Sequence, residues 1–371
     1  LKLQRYSFLT GNIFIFELKI ERMKKLVFII SLALAGCNST EKKEKVVEDS
    51  DFSGVTVKDV FVDSISIRAI EIIGDHVAFA GTDGKFGMYN STTGETTVNI
   101  QKFDSLSPEF RSVASTASDF FMLSVADPAL LYKTGDDGNM QLVYKEEGED
   151  VFYDAITFWN NREGIAMGDP TDGCLSVIIT RDGGKSWEKL DCSALPKAVE
   201  GEAAFAASDS NIAIHGDSTW IISGGMASRV FFSPDKGKTW EVFDTPLVQG
   251  EPTTGGYSID FYDGKTGIIF GGDYTKPEEN AANKAITYDG GKTWELLAEG
   301  EDPGYKSSVR FVPGGEGEEI VAVGFTGISY SADGGENWEK LSDEGFYTLR
   351  FVSDSVAYAA GKNRLSRLTF N

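Results

Sequence analysis

From about residue 54 onward, apolar and polar positions alternate in short runs separated by Gly, Asp and Ser, the pattern of half-buried strands, and no window of helical period competes with it. The clearest unit has strands at 258–261, 267–271, 285–287 and 294–297. The same succession returns at 154–158, 164–168, 175–180 and 187–190, again at 203–207, 220–224, 230–233 and 240–243, and at 308–311, 320–324, 328–331 and 338–341. Two degenerate copies fit upstream, within 68–100 and 113–144. At the end, 348–351, 356–361 and 365–370 supply three strands, and the run at 55–62 is available as the fourth. Pairing it there would close a ring and remove an exposed sheet edge. The expectation is an all-β, seven-bladed β-propeller of four-stranded antiparallel blades, its last blade closed by the N-terminal strand, with six or eight blades as the alternatives.

One phrase punctuates the repeats. Thr287-Tyr-Asp289-Gly-Gly291-Lys-Thr-Trp294 recurs around Asp182 and Trp187, Asp235 and Trp240, and Asp333 and Trp338 at identical offsets. Its chemistry is that of a tight turn: Asp accepts turn amides, Gly supplies positive φ, and Trp opens the returning strand. The phrase resembles the Asp-box (BNR) repeat of sialidases and related propellers, where it is a folding element remote from the chemistry. With four strands per blade, these turns mark one face of the disc. The loops entering each first strand, and those joining second to third strands, converge on the other.

Charge and termini alter the picture next. The 371 residues carry a net charge of −22, and beyond residue 45 the balance is 26 basic to 53 acidic. Such a surface repels phosphate backbones, so nucleic acid is excluded as a partner. Two His and no Cys/His cluster speak against a zinc site, and no metal or cofactor is expected. Met23-Lys-Lys, an apolar run at 26–35 and Gly36-Cys37 have the layout of a secretory signal. Leu34-Ala35-Gly36-Cys37 looks like a bacterial lipobox, with Cys37 as the lipidated residue. The domain reading is then 1–22 non-structural or untranslated, 23–36 signal peptide, 37–51 lipidated Cys and polar tether, and 52–371 propeller. It implies a lipid anchor in the bacterial cell envelope, sorted to the outer membrane. Cys174 and Cys192 flank one Asp turn symmetrically, which suits a cross-strand disulfide, with two buried thiols as the alternative.

The face opposite the Asp turns carries the candidate site. First strands begin near Arg68, Arg111, Asp154, Glu202, Tyr257, Lys306 and Tyr347, and the second-to-third loops add Asp127, Asp169, Arg229, Asp273 and Tyr274. In so acidic a protein, Arg68, Arg111 and Arg229 on one face favour a carboxylate or other anion. Segments such as Phe110-Arg111, 153–159, Gly168-Asp-Pro170, 201–207, 271–274 and Gly304-Tyr-Lys-Ser307 resemble a bacterial branch of propellers similar to the photosystem II stability and assembly factor family. Members often carry an oxidoreductase label. This chain has no dinucleotide-binding Gly motif, no haem motif and no redox Cys-x-x-Cys to support one. The resemblance implies a non-catalytic binding or assembly propeller, with a protein segment or a small anionic or carbohydrate ligand in its funnel. The alternative is a sialidase-like glycoside hydrolase, with Asp154 or Glu202 as acid/base, Tyr257 or Tyr347 as nucleophile and the three arginines as a carboxylate clamp.

Overall fold

A computed structural model describes residues 52–371; the signal, Cys37 and tether readings lie outside the described residues. Asp51–Asn371 is a single compact unit. The strands are antiparallel throughout and hydrogen-bond into six sheets. Four-stranded sheets run from Phe110–Ser115 to Met140–Glu146, from Tyr153–Phe158 to Glu188–Lys189, from Ile212–His215 to Glu241–Asp244, and from Ser308–Phe311 to Glu339–Ser342. A six-stranded sheet centred on Thr254–Phe261 and Gly267–Asp273 carries the short pair Glu202–Ala203 and Gly224–Gly225 on its edge.

Taking each hydrogen-bonded sheet as a blade, the propeller is six-bladed, not seven-bladed as expected, and the N-terminal strand is the reason. Val55–Ile73 is one strand of 19 residues. Its first part pairs with Val356–Phe370, from Val55 opposite Phe370 to Ser66 opposite Lys362, and its last part pairs with His76–Gly81. Register shifts after Asp59, Val62 and Ile67 bend it between the two tasks. The terminal strands and the first repeat, expected as separate blades, therefore share one six-stranded sheet. No sheet edge remains between the two ends of the chain.

A second correction concerns 203–207, expected as an innermost strand. Only Glu202–Ala203 is extended in a ladder, on the edge of the six-stranded sheet, and the innermost strand of the four-stranded sheet that ends at Glu241–Asp244 is Ile212–His215. His215 ends this strand and is exposed. The residues between cross the middle of the ring, with Ala204 and 206–211 buried. Their groups bond to every surrounding sheet. Arg68 Nη1 donates to the Ala207 carbonyl (3.4 Å) and Thr348 Oγ1 to that of Ser208 (2.9 Å). The Ser208 hydroxyl donates to Ser307 O (2.5 Å), and the Ile259 amide to Ser210 O (2.9 Å). The Asp209 carboxylate accepts the amides of Val113 and Ile156, both at 3.0 Å. A buried non-strand segment must satisfy its polar groups in such ways, and Ala-Ala-Ser-Asp-Ser is small and polar enough to do so, whereas the side chain of Asn211, which follows, finds no partner among the described residues.

Between sheets the core is apolar. Ile268, Phe270 and Ile286 pack on Val309, Ile320 and Ala322 of the next sheet, each large side chain worth about 1.5–3 kcal/mol in burial. The repeated turns pin the rim. Thr287 Oγ1 accepts the Gly291 amide (3.0 Å) and donates to Asp289 (2.9 Å). Asp289 Oδ1 in turn accepts the amides of Lys292 and Thr293, both at 3.0 Å. Gly290 and Gly291 take φ of 82° and 86°, where a Cβ would be strained. The same bonds recur about Asp182, Asp235 and Asp333. The Trp240, Trp294 and Trp338 indoles donate to the Gly237, Gly291 and Gly335 carbonyls, whereas buried Trp187 Nε1 finds no acceptor. Cys174 and Cys192 are joined in a disulfide with Cα atoms 5.6 Å apart.

Candidate functional site

First and third strands of a sheet run parallel because each neighbour is antiparallel. The Asp turns, which follow third strands, thus lie at the end of the disc toward which the innermost strands point. At the other end those strands begin, and there a cavity of about 550 Å³ opens. The crossing segment, Ala203 to Ala207, lines its wall. Six of the residues singled out in the sequence meet in it: Arg68, Arg111, Asp169, Tyr257, Tyr274 and Tyr347. Phe152, Phe205, Tyr305 and Phe325 join them.

The walls are largely aromatic. Phe205 stacks on Tyr257 with centroids 3.9 Å apart and planes at 4°, and Tyr305 meets Tyr257 edge-on at 4.8 Å. Phe325 lies 5.3 Å from Tyr305. Tyr274 and Phe325 are 47% and 44% exposed, so the mouth is apolar and open to solvent. Arg68 lies over the Tyr347 ring, 4.3 Å from its centroid. Its hydrogen bond to Ala207 is long, and among the described residues no carboxylate pairs with it. Burial first, and then the charge of Arg111, lower its pKa. Arg111 is half-committed: its Nη2 and Nε meet one oxygen of Glu109 at 2.6 and 2.8 Å. Asp169 accepts the Ala204 amide at 2.7 Å, and burial pushes its carboxyl up to about 6.

Other candidates are spent elsewhere. Glu202 is buried and bonds Arg229 through both oxygens, at 2.5 and 3.0 Å, as well as the Ser223 hydroxyl. That pair ties the crossing segment to its neighbour and removes both charges from the cavity. Asp154 is wholly buried, with the Ala206 backbone amide beside its carboxylate. Burial, with the charge of Asp169 second, holds it well above the usual carboxylate range. Asp273 caps its own loop through Thr275, at 2.7 and 2.9 Å. Lys306 is buried and donates to Thr326 Oγ1 (3.2 Å) and the Gly327 carbonyl (3.1 Å), with burial lowering it to about 8. The Tyr257 hydroxyl is held by Thr253 O at 2.8 Å.

Chemically, the cavity offers a cation on an aromatic bed. No free carboxylate pair flanks a position where a glycosidic bond would lie, since Asp154 is sealed and Glu202 is neutralised. Among the described residues, no group of three or more His, Cys, Asp or Glu is placed to hold a metal. Phe205 was not legible as a wall, because its segment reads as strand. Phe152 and Tyr305 were not singled out either, although each stands in a loop entering a first strand, directly before Tyr153 and Lys306.

On the far side of the crossing segment lies a vestibule of about 150 Å³ lined by Glu71, Asp209, Arg310 and Arg350. Arg350 Nη2 donates to the Asp209 carbonyl (2.9 Å), and Arg310 Nη2 to Ser210 Oγ (2.9 Å). Asp260 accepts the Phe311 amide at 2.8 Å and lies 3.4 Å from Arg310, while Glu71 accepts the Ser115 hydroxyl at 3.1 Å.

This arrangement is a β-propeller with a single-ended central cavity. No family model matches the sequence, and no curated protein does. Among solved structures, YCF48 bound to D1 peptide superposes with a TM-score of 0.61 at 14% identity, over 86% of this chain and 98% of that one. YCF48 from Cyanidioschyzon merolae gives 0.58 at 13%, over 86% and 99%. The GH74 enzyme of Niastella koreensis gives 0.57 at 12%, over 84% of this chain and 53% of that one. The resemblance to an assembly-factor propeller read from the sequence holds at the level of the fold.

Proposed function

We propose that the protein is a non-catalytic binding propeller that captures a peptide segment in its central cavity, with a carboxylate at Arg68 and an apolar or aromatic side chain among Tyr257, Tyr305 and Tyr347. The observation that carries this reading is Arg68 itself. A guanidinium taken out of water costs free energy unless it is paired, and this one has a ring beneath it and one long bond. A bidentate carboxylate would complete it. A propeller of similar fold is seen with a peptide bound, which agrees with a peptide ligand here. The glycosidase reading loses ground because Asp154 and Glu202 are unavailable.

The test is a peptide array presented with free or amidated C-termini. Binding confined to free carboxylates, and abolished by Arg68→Ala in a protein of unchanged thermal stability, is the expected result. Equal binding of amidated peptides would sink it. We also propose that Cys37 carries a lipid that holds the propeller at the bacterial envelope, on the outer membrane. Its support is the lipobox-like Leu34-Ala35-Gly36-Cys37. Cys37→Ser should release the protein from the membrane fraction; an unchanged distribution would refute the anchor.

A further inference from the structure

The cavity does not end at its own wall. Phe152, Asp169 and Ala203 line it and also line a second, more open groove of about 900 Å³ on the same face. The groove has an apolar bed that includes Val151, Pro170 and Val199, the last 44% exposed. Its edges carry Asp127, Glu149, Asp150 and Glu200, all exposed. None of these four, nor Asp169, has a Lys or Arg within ion-pair distance among the described residues. Glu202 in the same wall is different, because Arg229 neutralises it. Asp154 is fully buried, and the charged groups it feels are Asp169 and Arg111, which line the cavity.

One connected surface therefore presents an unpaired cation at its closed end and unpaired carboxylates along its open end. We propose that the groove receives the basic stretch of a peptide whose terminal carboxylate occupies the cavity, so that the preferred partner is a protein tail with Lys or Arg a few residues before its C-terminus. This rests on the peptide reading of the cavity and adds the charge of the chain leading into it. Like charge keeps an acidic tail, or a phosphate backbone, off the same path. Aligned surface pairs contribute modestly one by one, and several together both steer and hold a partner.

Two fluorescein-labelled decapeptides of Gly and Ser, each ending in Phe-Ala with a free carboxylate, provide the probe. One carries three Lys in the middle positions, the other three Gln. By anisotropy in low salt the Lys peptide should bind about tenfold more tightly, and roughly 0.5 M sodium chloride should erase the difference. The variant Asp127→Asn, Glu149→Gln, Asp150→Asn, Glu200→Gln alters only exposed side chains, so it should fold normally and bind both peptides equally. If the Gln peptide binds and Lys brings no gain, or if the gain survives in that variant, the groove inference fails while the cavity reading stands. If neither peptide binds, or amidation changes nothing, the cavity reading falls and takes the groove with it.

Discussion

The cavity and the vestibule sit on opposite sides of the same crossing segment, and both hold arginines and carboxylates, yet they are wired in opposite ways. In the vestibule, Arg350 reaches Asp209 and Arg310 reaches Asp260 and Ser210, while Asp209 and Asp260 also take backbone amides. Its charges are consumed in fastening the segment to the strands. In the cavity, Arg68 rests on Tyr347 with no carboxylate, and aromatic rings surround an open volume. Counting charges would rank the vestibule as the better site. Pairing shows the reverse, because an ion already satisfied gains little from a ligand, whereas a desolvated and unpaired one gains much.

That contrast can be broken in several places, and the largest effects belong to the turn and vestibule side. Trp294, 9% exposed and packed edge-on against Phe261 at 6.1 Å, should cost about 3–5 kcal/mol on truncation to Ala. Urea denaturation would measure this, and the folded fraction should keep its peptide affinity. Arg350→Ala should cost about 3 kcal/mol by stranding Asp209. Loss of binding without loss of stability in either variant would invert the two assignments.

A smaller effect tracks pH at the cavity wall. Burial raises the Asp169 carboxyl from its ordinary 3.8 to about 6 in the folded protein, with the Ala204 amide opposing the rise. Its contribution to stability is therefore full below pH 3.8 and is lost as pH rises through about 6, on the order of 2 kcal/mol. Asp169→Asn should flatten that part of the stability profile, read from chemical denaturation at a series of pH values; an unchanged slope would mean another group sets it. Smallest in stability is Arg68→Ala, expected to shift unfolding by less than about 1 kcal/mol while weakening peptide binding at least about tenfold, as for a lost charged hydrogen-bond donor. A large stability loss there would place Arg68 with Arg350 as a structural ion.

Much of the outer fold could be read directly. The alternation around 258–261 and 267–271 falls inside the strands Thr254–Phe261 and Gly267–Asp273, the first of which starts four residues earlier than expected, and each Asp turn behaves as its residues demand. The blade count was not legible, since nothing local tells whether Val55–Ile73 is one strand or two. Of the candidate ring, Arg68, Arg111, Asp169, Tyr257, Tyr274 and Tyr347 converge on the cavity. Glu202 and Arg229 sit on the same face but cancel, and the face alone cannot reveal that.

The sequence by itself determined what depends on near neighbours: a two-residue period that buries one side of each strand, and an Asp-Gly-Trp turn whose bonds span at most four residues. Tertiary structure alone decided what depends on residues brought from afar. The crossing of 203–211 is held by partners as distant as Arg68, Thr348 and Arg350. Which arginine stays free is likewise settled by whichever carboxylate folding places beside it, and burial then sets how much that freedom is worth.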